Sequence, residues 1–271
     1  MKYSYQWLKT YIPTLPSPEA VADALALHAF EVEEVVRKGK DTQLVIAVLP
    51  NRVADAGGHE GMARELGAIL NKKVTFRTPS MKESPTVRAS GVVRVQLDAE
   101  GDVTTYALRV VDKVVVGASP KHMIERLEVC DMQSINNVVD AANYVMLETG
   151  QPLHVFDADT IQGHIVVRRS VRGERIVTLD GIDVELAIGT LVIADTDGPI
   201  AIAGIKGGAR TGVTEKTTRV AIEGAHFDRA LIRKTAKLLG LSTDASQRFS
   251  AGLHPSLAAH GVDRLAALIR D

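Results

Sequence analysis

The sequence is poor in cysteine and has no long apolar run, and each scarcity excludes a class of protein. One cysteine, Cys130, leaves no internal disulfide framework and fits a reducing compartment. Because no glycine or histidine signature flanks Cys130, it reads as a buried apolar residue rather than a nucleophile. No run reaches the ~18 apolar residues of a membrane span, and the start MKYSYQWLKTY lacks a signal-peptide core. We therefore expect a cytoplasmic protein that does not contact a membrane.

Several common catalytic signatures are also missing. The eight histidines include no HExxH pair and no paired cysteines accompany them, so the sequence predicts no zinc site. The stretch IKGGARTG does not end in the Gly-Lys-Ser/Thr of a phosphate-binding loop, which argues against nucleotide hydrolysis. Without a GxSxG elbow, Ser246 and Ser250 are poor candidates for an acyl-enzyme nucleophile.

The chain has no excess of charge of either sign. It carries 32 Lys+Arg against 33 Asp+Glu, which gives a net charge of -1 and no global footprint for nucleic acid. Local basic clusters occur near Arg168 and between residues 229 and 237. The second cluster spans one to two helical turns, a spacing typical of a solvated helix face. Tight binding of nucleic acid by the chain alone is not expected.

Composition and periodicity predict an α+β protein. The chain is 45% hydrophobic and 24% charged, which suffices for one large core with a smaller satellite domain. Helical and strand patterns follow one another without regular alternation, which favours a mixed or antiparallel sheet with flanking helices. We predict a small helix-rich N-terminal domain at residues 1–84, a polar linker near 78–86 and a larger domain at 85–271. The predicted helices are 18–30, 59–70, 120–127, 138–147, 230–239 and 255–269, and the predicted strands are 44–49, 93–97, 107–115, 165–169, 175–179, 191–194 and 220–222.

The segment 134–157, SINNVVDAANYVMLETGQPLHVFD, has an unusual density of polar residues. Four side chains that compete for backbone hydrogen bonds fall within eight residues, and these are Asn136, Asn137, Asp140 and Asn143. The proline that follows sets a rigid turn just before His154. Two interpretations remain open at this point: a specified polar site, or a buried polar turn whose hydrogen bonds are satisfied.

Two later blocks contain further candidates for a site. AIAGIKGG follows an apolar strand, and its Gly204 and Gly207 would let a backbone approach a ligand closely. VAIEGAHF places Glu223 inside an apolar run, where a carboxylate is either paired or functional because its burial alone is costly. GLSTDASQRF then supplies Thr243. Together with His154 and Asn143, these groups suit the binding of a small polar group and the positioning of a water.

In this order the blocks closely resemble the editing domain of the bacterial phenylalanyl-tRNA synthetase beta subunit. The resemblance covers nearly all of residues 106–271. It rests on INNVVDxxNYVMLExGQPLHxFD, the LDG at 179–181, LVIAD, AIAGIxGG, the Glu223 strand and GLxTDASxRF. The pieces WLK, HAFEVE, PNR and GMAREL resemble the start of that subunit more weakly. In that family an oligonucleotide-binding barrel separates the N-terminal pieces, whereas here the interval between them contains only a short polar stretch, residues 39–43.

The resemblance implies hydrolysis of the ester in mischarged Tyr-tRNA(Phe). Glu223 would accept the tyrosine hydroxyl, and His154 with Asn143 would orient the ester or the attacking water. Gly204 and Gly207 would line the pocket. Two further residues, Thr243 and Ala245, would shape it. No cofactor, metal or covalent intermediate is implied, because the attack would use positioning and the terminal ribose hydroxyl of the tRNA.

Departures from the family pattern leave a second function open. Ala142 stands where the family usually has threonine, and FSAG and LHP replace a more charged family pattern at 249–255. We therefore keep two hypotheses: an editing deacylase, freestanding or part of a synthetase beta subunit, and a non-catalytic paralogue that binds an amino acid, an aminoacyl-tRNA or a synthetase subunit. The lack of the barrel and of the family's later modules implies no aminoacylation, and tRNA binding that needs a synthetase partner.

Overall fold

The computed structural model describes residues 1–76, 81 and 83–270, and it is an α+β structure. Part of the predicted linker, at residues 78–80 and 82, lies outside the described residues. All six predicted helices are present to within two residues at each end. Three predicted strands differ by three or more residues at one or both ends, because residues 41–43, 103–106 and 223–227 also belong to strands while 113–115 do not.

The first part of the chain combines a small sheet with four helices. Its three antiparallel strands have the order β1-β3-β2. They are β1 Lys2–Ser4, β2 Glu31–Lys38 and β3 Asp41–Ala47, and the helices are α1 Tyr5–Tyr11, α2 Pro18–His28, α3 Val53–Ala56 and α4 His59–Ile69, with a 3-10 turn at Pro50–Arg52. Lys38 pairs with Asp41 across a tight turn in which Gly39 has φ 58°. A hairpin turn therefore lies at the position where the family that this sequence resembles has an oligonucleotide-binding barrel.

The rest of the chain contains three sheets and five helices within the described ranges. A five-stranded sheet has the order β12-β11-β10-β7-β4, a three-stranded sheet the order β5-β13-β6, and β8 pairs with β9. The strands are β4 Val95–Leu97, β5 Val103–Asp112, β6 Leu153–Asp157, β7 Ile165–Arg169, β8 Arg175–Val177, β9 Asp183–Glu185, β10 Leu191–Asp195, β11 Gly198–Ile202, β12 Lys206–Gly207 and β13 Arg219–Phe227. The helices are α5 Lys121–Val129, α6 Asn137–Thr149, α7 Arg229–Leu239, α8 Asp244–Ala251 and α9 Ser256–Arg270.

Strand β13 lies between two hydrophobic cores. Val220 and Ile222 belong to the core that also contains α6, α9 and the N-terminal helices. Ala221 and Ala225 belong to the second core, which is built around β7, β10 and β11. Since side chains alternate along a strand, Glu223 points to the same side as these two alanines. The strand thus carries one carboxyl group into an otherwise apolar layer.

The N-terminal helices share their core with the larger part of the chain. Trp7 of α1 stacks on Tyr144 of α6, with ring centroids 4.2 Å apart, and on His59 of α4 at 4.1 Å. His59 bonds the Ser4 amide through Nε2 and the Leu147 carbonyl through Nδ1. Burial lowers the pKa of His59, so the ring is neutral and links β1 to α6. The division of the chain into domains 1–84 and 85–271 stays a prediction.

Candidate functional site

Two adjoining cavities lie where α6, α8, β6 and the loop between β11 and β12 meet. The outer cavity measures about 310 Å³ and the inner one about 60 Å³. They share four lining residues, which are Pro152, Leu153, Ile205 and Ala245. Candidate residues Ala142, Asn143 and Thr243 line the outer cavity, and His154, Gly204, Gly207 and Glu223 line the inner one. A larger groove of about 870 Å³ between β5 and α9 contains none of these candidates.

Glu223 and His154 are directly opposite each other on neighbouring strands. The register of β13 against β6 pairs Glu223 with His154. On the other side of β13, Ala225 pairs with Tyr106 of β5, which makes Tyr106 a diagonal neighbour of Glu223 on the same face. The Tyr106 hydroxyl donates a hydrogen bond to Glu223 Oε2 at 3.2 Å. Three polar side chains from three strands therefore form one row.

The Glu223 carboxyl is held in its neutral form at neutral pH. Its side chain is buried, with the residue 5% exposed. Burial raises the pKa of Glu223 to about 8, and the hydrogen bond from Tyr106 offsets this only in part. The carboxyl group therefore accepts hydrogen bonds as a neutral acid at neutral pH and becomes a charged acceptor only above about pH 8.

The raised pKa of Glu223 gives a prediction for stability. An unfolded glutamate ionises near pH 4.5, whereas the folded one keeps its proton to about pH 8. The folded wild type therefore loses stability as the pH rises from 4.5 through 8. Glu223→Gln stays neutral throughout and should gain more than about 1.4 kcal/mol over wild type between pH 5 and pH 9, the equivalent of one pKa unit. Urea unfolding at both pH values checks this, and an unchanged difference would contradict it.

His154 presents an unpaired nitrogen to the interior. Its Nε2 atom is buried and has no hydrogen-bond partner among the described residues. The ring packs edge-on against Phe156, with centroids 4.4 Å apart, and burial lowers the pKa of His154 to about 4. A neutral imidazole can donate or accept one hydrogen bond at Nε2, depending on its tautomer. A buried polar atom without a partner calls for a ligand or a water.

Gly207 and Gly204 are required by close contacts. A Cβ atom on Gly207 would lie 2.2 Å from Cε1 and 2.8 Å from Nε2 of His154, so any larger residue would displace the imidazole. Gly204 has φ 68°, and its Cβ position is 3.1 Å from the Phe227 and Phe249 rings. Both glycines thus allow the loop to approach the inner cavity.

Thr243 has a structural role that the sequence did not indicate. It is the N-cap of α8, and its Oγ1 accepts a hydrogen bond from the Ser246 amide at 3.0 Å. The same hydroxyl donates to the Ile205 carbonyl at 3.1 Å. Because Ile205 lines both cavities, Thr243 fastens α8 to the wall between them.

The four polar side chains of segment 134–157 have two different kinds of role. Asn136 caps α6 by accepting from the Val138 and Val139 amides, and Asn137 bonds the backbone of residues 115 and 117. Asp140 is buried and accepts from Ser134, Ser119 and the Ile135 amide. The interpretation of all four as one polar site is therefore wrong. Asn143 is the member that lines a cavity, and its side chain has no hydrogen-bond partner within the described ranges.

The size of the inner cavity limits what it holds in this state. A dry cavity of about 150 Å³ accommodates benzene, so about 60 Å³ is too small for a phenol ring. The outer cavity, at about 310 Å³, falls in the range of small-molecule sites. Entry of an aromatic side chain beside Glu223 therefore requires the partition at Ile205 and Ala245 to move.

A model of the B3/4 domain matches residues 102–271. The chain belongs to the B3/4 domain family. The phenylalanine–tRNA ligase beta subunit of Anaeromyxobacter dehalogenans is 45% identical over 230 residues, which are 84% of this chain and 28% of that protein. The beta subunit of Moorella thermoacetica is 42% identical over 262 residues, 96% of this chain and 31% of that protein. The sequence resemblance is thereby confirmed, and the chain spans less than a third of these relatives.

Among solved structures, the chain is similar to an N-terminal fragment of the phenylalanyl-tRNA synthetase beta subunit from Pyrococcus horikoshii. The TM-score is 0.48 at 15% identity, and the match covers 89% of this chain and 73% of that one.

This B3/4 domain stabilises α8 through a buried arginine. Arg248 is 4% exposed and bonds Asp244 Oδ1 at 3.1 Å. Its Nη2 lies 3.5 Å from the Gly57 carbonyl, and this contact joins α8 to the end of α3.

No helix within the described residues is long and apolar enough to cross a membrane. The described part of the domain has no group of three His, Cys, Asp or Glu side chains arranged to bind a metal.

Tyr106 is the site residue that sequence reasoning missed. It is separated from Glu223 by 117 positions, and a tyrosine in an apolar strand normally signals packing. Only the register of β5 on β13 shows that the two side chains meet.

Proposed function

We propose that this chain hydrolyses the ester of mischarged Tyr-tRNA(Phe). The observation that carries the proposal is the pairing of Glu223 with His154 at one small cavity in a B3/4 domain. This region is the editing domain of the phenylalanyl-tRNA synthetase beta subunit family. Relatives more than 40% identical are named phenylalanine–tRNA ligase beta subunits.

Each cavity has a role in this proposal. The tyrosine side chain enters the inner cavity, where its hydroxyl meets the Glu223 carboxyl. Phenylalanine would leave Oε1 of that carboxyl buried without a partner, and this cost is the basis of a second sieve. His154 Nε2 and the Asn143 amide orient the ester or a water at the junction of the cavities. The terminal ribose lies in the outer cavity, and its free hydroxyl helps to orient the water that attacks the ester carbonyl. The ester C–O bond then breaks, which releases tyrosine and the esterified ribose hydroxyl.

Binding of tyrosine requires a widening of the inner cavity. Ala245 and Phe249 line it from α8, and Thr243 connects that helix to Ile205. A displacement of α8 by a small distance would move the partition and its hydrogen bond together. The proposal therefore assigns Thr243 and Ala245 to the shape of the site rather than to its chemistry.

Synthetase and tRNA are the proposed partners. Two arginines of the basic cluster on β7 are paired, Arg168 with Glu174 at 2.6 Å and Arg169 with Asp102 at 2.8 Å. Pairing leaves less charge for phosphate contacts, and the net charge of the chain is -1. Delivery of the charged tRNA by a synthetase subunit is therefore part of the proposal.

The test is deacylation of Tyr-tRNA and Phe-tRNA by the purified chain, with His154→Ala as the variant. Loss of one orienting hydrogen bond should slow hydrolysis of either ester by about 10-fold. The matched control is His122→Ala, since His122 is exposed on α5 and lines neither cavity. Equal rates for wild type and His154→Ala would remove His154 from the mechanism.

A second candidate function is a non-catalytic paralogue that binds an amino acid, an aminoacyl-tRNA or a synthetase subunit. The observation that favours it is Ala142, which contributes a methyl group to the outer cavity instead of a hydroxyl. A wild type that shows no deacylation, either alone or with a synthetase partner added, would support this second function and reject the first.

A further inference from the structure

Tyr106 places its own phenol group against Glu223, the carboxyl group proposed to recognise the tyrosine of the substrate. Its hydroxyl lies 3.2 Å from Glu223 Oε2. Within the described ranges, Oε1 of the same carboxyl makes no hydrogen bond to a side chain or to the backbone, and Glu223 lines the inner cavity. Tyr106 does not line either cavity. One oxygen is therefore engaged from behind while the other is left for a ligand.

We infer that Tyr106 is a positioning residue, which holds Glu223 through Oε2 so that Oε1 addresses a hydroxyl group in the inner cavity. The inference rests on the proposed function for its effect on selectivity. A carboxyl group free to rotate would present either oxygen to the cavity or turn from it. A donor fixed on the neighbouring strand removes that rotational freedom before the ligand binds. Binding then does not have to bear the entropic cost of ordering the carboxyl group.

Other groups around Glu223 do not supply this restraint. His154 faces it from β6, but the imidazole makes no hydrogen bond to the carboxyl. Lys206 lines the inner cavity, and its ammonium is paired with Asp180 at 2.5 Å. Ala245 and Phe249 approach from α8 and carry no charge. Tyr106 is thus the donor on the described part of the chain that contacts this carboxyl.

The experiment uses Tyr106→Phe, which keeps the ring and removes the hydroxyl. We expect the preference for Tyr-tRNA over Phe-tRNA to fall roughly 2- to 10-fold, the equivalent of one neutral hydrogen bond, with the Phe-tRNA rate unchanged. The hydroxyl also stabilises the ionised carboxylate. Its loss should therefore raise the pKa of Glu223, read from the ¹³C carboxyl signal that disappears in Glu223→Gln.

The chain offers a matched control in Tyr11→Phe. The Tyr11 hydroxyl donates to another buried carboxylate, Glu148 Oε1, at 3.3 Å, outside both cavities. This variant should change neither the selectivity nor the Glu223 signal. In a Glu223→Gln background, Tyr106→Phe should have no further effect on selectivity, as expected for two residues that act through one contact.

The outcomes separate this inference from the proposed function. If Glu223→Ala loses selectivity while Tyr106→Phe changes neither selectivity nor the Glu223 titration, the inference is wrong and the function stands. If wild type hydrolyses no ester, the function fails, and the titration alone decides whether Tyr106 holds Glu223. If Tyr106→Phe does not fold, the pKa of Tyr106 in the Glu223→Gln variant tests the same contact. Burial and, after it, the charge and hydrogen bond of Glu223 raise the pKa of Tyr106. Glu223→Gln should therefore lower this pKa, and an unchanged value would overturn the inference.

Discussion

Glu223→Ala should remove most of the discrimination between Tyr-tRNA and Phe-tRNA while hydrolysis of the phenylalanyl ester continues. Above pH 8 the carboxylate is a charged acceptor, for which a hydrogen bond contributes about 1.5–3 kcal/mol. Discrimination should then fall by roughly 10- to 150-fold. At pH 6 the carboxyl is neutral because burial raises the pKa of Glu223 to about 8. The loss there should be only about 2- to 10-fold, the range for a neutral hydrogen bond.

The measurement is the ratio of the two deacylation rates at both pH values, each corrected for spontaneous ester hydrolysis. Glu174→Ala is a suitable control, since Glu174 pairs with Arg168 on another sheet and lines neither cavity. A Glu223→Ala variant that keeps the wild-type ratio would show that the carboxyl does not read the tyrosine hydroxyl. If wild type itself is inactive, Ala142→Thr is the first substitution to examine, because it restores a hydroxyl to the outer cavity.

Sequence patterns drew attention to Glu223 and His154 but missed several of the strands. Glu223 and His154 could be singled out because each is a polar residue in an apolar run, and the structure places them opposite each other. The short strands β1, β9 and β12 have two or three residues each, too few for alternation to be recognised. Strand β2 was missed because its EVEEVVRK sequence is mostly charged and exposed.

Individual polar residues show why their roles need coordinates. Asn136 and Asn143 are the same type of residue seven positions apart, yet Asn136 caps a helix and Asn143 lines a cavity. Asn136 precedes the first helical residue, where its oxygen meets free amides, whereas Asn143 lies mid-helix, where those amides are already used. Thr243 likewise caps α8 and braces Ile205 at once. The helix boundary decides each role, and boundaries are the weakest part of a sequence-based prediction.

The largest loss of stability is expected from Arg264→Ala. Arg264 of α9 binds the Glu148 carboxylate of α6 with two hydrogen bonds, Nε to Oε2 at 2.6 Å and Nη2 to Oε1 at 3.0 Å. Glu148 is 5% exposed and also accepts from the Tyr11 hydroxyl of α1. Removal of the arginine leaves a buried carboxylate with one neutral donor. Breaking such a pair costs about 3–5 kcal/mol, which urea unfolding can measure.

Two further variants show whether this loss comes from the isolated charge. Arg175→Ala breaks exposed ion pairs with Asp183 and Glu185 and should leave the free energy of unfolding nearly unchanged, because solvent screens such pairs. The double variant Arg264→Met with Glu148→Leu removes both charges and should recover most of the stability, because the desolvation cost disappears with them. A loss below about 1 kcal/mol in Arg264→Ala would mean that water reaches Glu148. Helix α6 also carries Ala142 and Asn143, which line the outer cavity, so a displacement of the helix near Glu148 should change the shape of that cavity. The deacylation rate of Arg264→Ala measures whether this change reaches the site.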